Sequence, residues 1–222
     1  MSNDMRLLAP SILAADFLHL EKDIRLINSH ADIIHLDVMD GNLVPNISFG
    51  FSVIDAVARI ARKPMDAHLR IVHPEKYFDR CAKAGCTMLS FHLEAARKAR
   101  RSPARMLDRV RALGMKAGLA INPDIPVEDV FPYLDHAVYS LVMSVFAGFG
   151  GQKFIEATYN RVRALKAEIM RRGLDCLIEI DGGADASNAA ALYASGVDII
   201  VAGSAVFKSE DPAAAAAAIK GA

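Results

Sequence analysis

Short apolar runs alternate with amphipathic stretches along most of the chain. Eight such runs predict buried strands: RLLAPSIL, ADIIHLDV, PMDAHLR, CTMLSFHL, MKAGLAIN, AVYSLVMSV, CLIEID and VDIIVAGS. Between most of them, apolar residues recur every three or four positions, which predicts helices with one buried face. Strands that alternate with helices in this way form parallel sheets.

Individual helices can be placed from capping and stop signals. Asp16 is expected to cap the first helix, whose apolar stripe consists of Phe17, Leu20, Ile24 and Ile27. A later helix is predicted between Tyr159 and Gly173, with the glycine at its C-terminal stop. The alanine-rich segment 213–218 predicts a terminal helix without chemistry of its own.

Eight strand–helix units in 222 residues predict an α/β protein with the (β/α)8 fold, a TIM barrel. An open doubly wound sheet would need a glycine-rich fingerprint after the first strand, and PSILAADF is not one. The sequence contains no linker-like segment. We therefore expect one catalytic barrel domain over residues 1–222.

Charge and composition narrow the possible partners. Lys+Arg and Asp+Glu both total 26, so net charge gives no argument for nucleic acid or an anionic membrane. The basic segment from Arg97 to Arg111 lacks interleaved aromatic residues and is interpreted as a solvated helix face.

The N-terminus lacks the pattern of a signal peptide, and no apolar run approaches the ~18 residues of a membrane span. Three cysteines cannot all pair, and a cytoplasmic protein with reduced thiols is expected.

The stretch HLDVMDG carries the first candidate chemistry. Because side chains alternate along a strand, His35 and Asp37 point to the same face. His68 and Asp181 lie near the ends of the third and seventh predicted strands, and active sites of barrels form at that end. Each residue alone is more typical of a core hydrogen bond or a turn, but four together favour a divalent metal site for Zn2+, Fe2+, Mn2+ or Co2+. His92 and Glu94 face the same rim, either behind these ligands or in a structural hydrogen bond.

Glycine-rich loops give the second signal. GFGG follows the sixth predicted strand, DGGA the seventh and AGSA the eighth. Glycine lets backbone N–H groups approach an anion, and the loops after strands seven and eight are the usual phosphate site of such barrels. The sequence therefore predicts a phosphorylated ligand, with GFGGQKF as a lid over the mouth.

These blocks together resemble a known family. PSILAADF, HLDVMDGNLVPNISFG, DAHLR, FHLEA, INPDIP, GFGGQKF, IDGG and VAGSAVF are similar, in order, to the signatures of the ribulose-phosphate 3-epimerases, from Pro10 to Phe207. The resemblance implies a (β/α)8 barrel that interconverts D-ribulose 5-phosphate and D-xylulose 5-phosphate by two-base proton transfer through a cis-enediolate. It also implies one bound divalent ion, zinc above all, and a homo-oligomer.

The resemblance assigns roles to named positions. The implied metal ligands are His35, Asp37, His68 and Asp181, and Asp37 and Asp181 would also exchange the proton. The implied substrate contacts are Ser11, His68, Met39, Met143, Gly148, Phe149, Gly150 and Gly151, with both methionines in an apolar floor. The implied phosphate site consists of Gly182, Gly183, Gly203 and Ser204.

Three departures from the family pattern leave alternatives open. Arg70 replaces the usual methionine, Phe146 and Ala147 replace Asn-Pro, and Asn42 replaces a common histidine. Arg70 and Phe146 raise the alternative of another ketose phosphate, such as D-allulose 6-phosphate. A metal-independent decarboxylase of the same architecture would need a lysine among the carboxylates. No lysine lies on the strands HLDVMDG, DAHLR and IEIDGG, which counts against that class. A non-catalytic sugar-phosphate sensor is the third possibility, against which the intact Asp37 and Asp181 argue.

Overall fold

Eight strands and nine helices follow one another in the computed structural model, which describes residues 5–222. The strands are β1 (Leu7–Pro10), β2 (Ile34–Met39), β3 (Met65–Arg70), β4 (Met88–His92), β5 (Lys116–Ile121), β6 (Tyr139–Met143), β7 (Leu177–Asp181) and β8 (Ile199–Ala202). The helices are α1 (Leu20–His30), α2 (Phe51–Ala58), α3 (Phe78–Lys83), α4 (Leu93–Lys98), α5 (Pro103–Ala112), α6 (Thr158–Arg172), α7 (Ala189–Ser195), α8 (Ser204–Phe207) and α9 (Pro212–Lys220). Residues 1–4, part of the segment compared with a signal peptide, lie outside the described range.

The strands form one parallel barrel. Their order is β1-β8-β7-β6-β5-β4-β3-β2, and a parallel bridge between Ser11 and His35 joins the two outer strands. Each predicted apolar run contains one strand, so the predicted (β/α)8 fold is confirmed. The carboxyl ends of all eight strands consequently meet at one mouth.

Most apolar packing lies between the barrel and its helices. The barrel interior contains both apolar and polar side chains. One interior cluster comprises Ala9, Ile33, Met88, Tyr139, Ile199 and Val201. A second, near the carboxyl ends, comprises Ala120, Leu141, Met143 and Val145. Several polar side chains are also fully buried on the strands, including His35, Asp66, His68 and Glu179. Buried polar groups need partners, so this interior is built for chemistry as well as for packing.

The helix predictions hold except at the first helix. Helix α1 begins at Leu20, and Asp16 lies outside it. The Asp16 carboxylate accepts a hydrogen bond from the Leu18 backbone N–H at 3.0 Å, which makes a local turn before the helix. Phe17 is 47% exposed. The prediction that Asp16 caps the helix and that Phe17 belongs to its buried stripe was therefore wrong.

Two later helices follow their sequence signals. Helix α6 buries Val162, Leu165 and Ile169 and ends at Gly173, whose φ of 63° is the left-handed conformation of a helix stop. The alanine-rich tail forms α9, which packs against α1 and β1. Both elements were predicted.

The cysteines are buried and unpaired, as their odd number predicts. Cys81, Cys86 and Cys176 are all free thiols. Burial raises the pKa of Cys176 to about 12, so this thiol is unreactive at neutral pH. None of the helices in residues 5–222 combines the length and the apolar character needed to span a lipid bilayer.

One glycine allows an aromatic ring to fill the barrel interior. Gly118 on β5 lies beside Tyr139 on β6 in the strand register. A Cβ atom at Gly118 would stand 2.3 Å from Cζ of the Tyr139 ring. Tyr139 is completely buried, and its hydroxyl donates a hydrogen bond to Asp66 at 2.6 Å. The ring therefore cannot move aside without breaking that bond.

We expect Gly118→Ala to lower the free energy of unfolding by about 2 kcal/mol, because the added methyl overpacks a rigid site. Urea unfolding followed by circular dichroism measures the change. Gly50→Ala is the matched control, since its Cβ would meet no atom within 4 Å. Equal losses in the two variants would contradict this account of the packing.

Candidate metal centre and active site

The four predicted metal ligands converge at the mouth of the barrel. The register of β2 and β3 sets Asp37 beside His68, and Asp181 ends β7. His68 Nδ1 lies 3.3 Å from Asp37 Oδ1 and 3.6 Å from Asp181 Oδ2. His35 Nε2 lies 3.4 Å from Asp37 Oδ1 and 4.0 Å from Asp181 Oδ2. A tetrahedral ion with bonds of ~2.1 Å holds its ligands ~3.4 Å apart, so these side chains fit one.

Two of the ligand atoms are buried without a well-formed hydrogen bond. His35 Nε2 has no hydrogen-bond partner among the described residues, and the close polar neighbour of Asp37 Oδ1 is the Arg70 guanidinium, at 2.9 Å. Unpaired buried polar atoms are rare in folded proteins and call for an explanation. A divalent ion would satisfy both atoms at once, and the mixed set of two imidazoles and two carboxylates suits such an ion. The cluster therefore indicates a divalent metal site.

A buried carboxylate orients His35. The Nδ1 of His35 donates to Asp66 Oδ2 at 2.9 Å, and the other oxygen of Asp66 accepts from Tyr139 at 2.6 Å. With Nδ1 used as a donor, Nε2 of His35 faces the other three ligands. Burial lowers the pKa of His35, but the charge of Asp37 and hydrogen bonds to carboxylates outweigh it and raise the pKa well above its usual value. An ion at Nε2 would have to displace that proton.

His68 has its own chain of partners. Its Nε2 lies 2.9 Å from Nε2 of His92, and Nδ1 of His92 lies 3.4 Å from Glu94. Burial lowers the pKa of His92, which favours a neutral ring that donates to Glu94 and accepts from His68. Nδ1 of His68 is then left without a proton and faces the carboxylates. The two rim residues singled out from FHLEA thus lie directly behind a candidate ligand.

Arg70 reaches into the same cluster. Its Nη2 lies 2.9 Å from Asp37 Oδ1 and also contacts Asp181 Oδ2, while its Nε donates to His68 Nδ1 at 3.4 Å. Arg70 is only 3% exposed. Burial opposes ionisation of Asp37 and Asp181, but the Arg70 charge outweighs it and lowers the pKa of both carboxyls. Sequence reasoning identified Arg70 as a departure but did not find these contacts.

Ser11 and Ser48 complete the surroundings of Asp37. The hydroxyl of Ser11 donates to Asp37 Oδ2 at 2.5 Å, whereas its predicted contact with substrate stays a prediction. Ser48 donates to the backbone carbonyl of Asp37 at 2.6 Å and accepts from the Met39 N–H at 3.0 Å. No sequence pattern indicated Ser48, because it reaches these β2 backbone atoms from the loop that follows the strand.

A pocket of about 770 Å³ opens above Asp37, Arg70 and Asp181. The predicted site residues that line it are Ser11, Asp37, Phe149, Gly150, Gly151, Asp181, Gly182, Gly183, Gly203 and Ser204. The predicted residues absent from its lining are His35, His68, Met39, Met143 and Gly148. Met143 is fully buried, with its sulfur 3.9 Å from Nη2 of Arg70. The floor of the pocket is therefore a guanidinium rather than the expected methionines.

Two glycines bring backbone to the far side of the pocket. Gly182 has φ of 119°, and its Cβ would stand 2.3 Å from the Val145 side chain. Gly183 has φ of 65°, and its Cβ would stand 2.6 Å from the backbone nitrogen of Phe154. Neither position accepts a side chain, and both glycines line the pocket. Lys153, which the sequence prediction missed, also lines this pocket and adds a positive charge.

The loop after β6 covers one side of the mouth. Asn46 donates to the carbonyl of Gly148 at 2.9 Å, which ties this loop to the one after β2. Gln152 donates to the carbonyls of Phe146 and Phe149 at 2.7 and 2.8 Å. Phe146 itself is 53% exposed and does not line the pocket.

Comparison with known proteins decides the family. A model of the ribulose-phosphate 3 epimerase family matches residues 7–207. The chain belongs to the ribulose-phosphate 3-epimerase family. A relative of that name from Synechocystis is 43% identical over 213 residues, which cover 96% of this chain and 92% of the relative. Another, from Bacillus subtilis, is 39% identical over 215 residues, covering 96% and 97%. The family resemblance read from the sequence is thus confirmed.

Solved structures support the fold alone. A mutant tryptophan synthase α-subunit from Pyrococcus furiosus aligns with a TM-score of 0.69 at 13% identity, over 98% of this chain and 99% of that one. KGPDC from Streptococcus mutans aligns with a TM-score of 0.68 at 11% identity, over 98% and 96%. Sequence identities this low carry no argument about chemistry, but both structural alignments support the barrel fold.

One buried acid lies beneath the candidate ligands without hydrogen bonds of its own. Both carboxyl oxygens of Glu179 are buried and lack hydrogen-bond partners among the described residues. Burial and the nearby charge of Asp66 raise the pKa of Glu179 to about 8, from an ordinary 4.5. Between these pH values the folded chain keeps a proton that the unfolded chain releases. The free energy of unfolding therefore falls as pH rises through this window.

We expect Glu179→Gln to remove this loss in the metal-free protein. Relative to wild type, the variant should gain stability at pH 8 compared with pH 5, because a neutral amide has no proton to lose. Urea unfolding at both pH values in the presence of chelator measures the difference. Glu210→Gln, at an exposed position, is the control. A pH-independent difference between Glu179→Gln and wild type would refute the assignment.

Proposed function

We propose that this single barrel, residues 1–222, epimerises D-ribulose 5-phosphate and D-xylulose 5-phosphate at C3. One observation carries the proposal: Asp37 and Asp181 belong to a metal-binding set and also line the pocket. Relatives named ribulose-phosphate 3-epimerase that cover most of the chain support the substrate. A cytoplasmic location remains a prediction from the cysteines and the N-terminal pattern, and a homo-oligomer remains a prediction from the family resemblance.

The reaction needs a proton to leave one face of a carbon and return on the other. Asp37 and Asp181 come from β2 and β7, and each can act as acid or base toward C3. During turnover one carboxyl must be ionised to take the proton while the other carries the proton that it returns. Ser11 holds one oxygen of Asp37 and so orients that carboxyl.

His35, Asp37, His68 and Asp181 would hold the ion. When bound there, a divalent cation stabilises the negative charge of the cis-enediolate. We favour zinc because the spacing of the ligand atoms suits a tetrahedral ion, with Fe2+, Mn2+ and Co2+ as alternatives. The four ligand side chains lie on three strands of one barrel, which holds them in place before substrate arrives.

The rest of the pocket suits a sugar phosphate. Backbone N–H groups at Gly182, Gly183 and Gly203, with the Ser204 hydroxyl, would bind the phosphate. The segment Gly148–Gly151 would close over the sugar and exclude water. Met39 and Met143 would touch the reacting carbons only once Arg70 leaves its present contacts.

Asp37→Asn and Asp181→Asn should each lower kcat by at least about a thousandfold, since an amide neither accepts nor returns the proton. Circular dichroism should show an unchanged fold. Deuterium incorporation at C3 from heavy water, followed by NMR, reports proton abstraction directly. Asp108→Asn, at a surface position bonded to His136, is the control. Near-normal turnover by either active-site variant would rule out the two-base scheme.

Among five- and six-carbon ketose phosphates, we expect the highest kcat/KM for D-ribulose 5-phosphate. Removal of metal by a chelator should abolish exchange at C3, and zinc should restore it. A higher kcat/KM for D-allulose 6-phosphate would move the assignment to that substrate. Exchange that persists without metal would refute the role given to the ion.

A further inference from the structure

Among the residues that the structure describes, Arg70 is the one lysine or arginine whose side chain contacts both candidate acids. On β3 the side chains of Asp66, His68 and Arg70 share the interior face, because alternate residues of a strand point the same way. Arg70 therefore lies one step nearer the mouth than His68. From there it contacts Asp37, Asp181 and His68, which are three of the four candidate ligands.

A metal ion and this guanidinium need the same oxygen atoms. The atoms of Asp37 and Asp181 that contact Nη2 of Arg70 are Oδ1 and Oδ2, and these same atoms lie at ligand spacing from His68. An ion bonded to them at ~2.1 Å would stand directly against a permanent positive charge. Two cations at that separation repel strongly in a buried site. The ion and the guanidinium therefore cannot both keep these contacts.

Without an ion, Arg70 supplies a counter-charge for the two buried carboxylates. Asp37 and Asp181 are 2% and 7% exposed, and buried anions are costly unless a counter-charge accompanies them. Arginine stays protonated at all relevant pH values, so it supplies that charge permanently. The pocket above offers about 770 Å³ into which its unbranched chain can turn.

We propose that Arg70 is an internal competitor of the divalent ion, bound to Asp37 and Asp181 in the metal-free protein and displaced toward the pocket when the ion enters. The inference rests on the proposed metal site and adds a property of this chain to it. The free energy of breaking the two ion pairs is subtracted from metal binding. The protein consequently holds its ion more weakly than the same ligand set without Arg70.

The test compares zinc affinity of metal-free wild type and Arg70→Met, measured by competition with a chromophoric chelator and by calorimetry. Methionine keeps an unbranched side chain and removes the charge. We expect Arg70→Met to bind zinc at least about tenfold more tightly, the scale on which neighbours of ligands alter metal affinity. Arg70→Lys keeps the charge and should retain part of the weakening.

Thermal unfolding gives an independent readout. Metal-free Arg70→Met should melt below wild type, because it leaves two buried carboxylates without a counter-charge. Zinc should then raise the Tm of Arg70→Met by more than it raises that of wild type. Arg80→Met removes an arginine that pairs with Asp55 at the surface and should change neither the affinity nor the zinc-induced shift.

Equal zinc affinities of wild type and Arg70→Met would overturn the proposal, as would Arg70→Lys binding as tightly as Arg70→Met. Should Arg70→Met fail to fold, Arg70→Gln provides the uncharged variant for the same comparison. These outcomes are separate from the proposed activity. Absence of epimerase activity in zinc-loaded wild type would remove the proposed function, whereas the affinity ratio depends only on binding.

Discussion

Two acids buried at the mouth of a barrel require a positive partner, and the structure is arranged around that requirement. Asp37 and Asp181 come from strands far apart in sequence, and parallel register brings them together with His35 and His68. A deeper layer, made of Asp66, Tyr139 and His92, fixes which nitrogen of each imidazole faces the acids. A set of two imidazoles and two carboxylates suits a divalent ion, and Arg70 is also within reach of it.

The fold was largely predictable because a (β/α)8 barrel repeats one local pattern eight times. Apolar runs such as CLIEID predict buried strands from composition alone, and Gly173 marks its helix stop by backbone conformation. The start of the first helix was not predictable. Asp16 closes a turn with Leu18, and this competing local hydrogen bond has the same sequence signature as a cap.

The candidate site was predictable in its ligand set but not in its floor. HLD and the strand-end Asp181 follow from strand periodicity, which fixes the faces of the side chains. The position of the Arg70 guanidinium depends on side-chain torsions and on charge, and neither can be read from spacing. Ser48 and Lys153 reach the site through loop geometry, so no periodic pattern could have indicated them.

The contact that closes the barrel between β1 and β2 involves two residues of the candidate site. Ser11 and His35 form the bridge that joins β1 to β2, while their side chains contact Asp37 or lie at ligand distance from it. A chain whose first strand is undocked would lack the bridge that closes the barrel, and with it the correct placement of the His35 imidazole. Closure of the barrel and the geometry of the ligand set therefore depend on the same two residues.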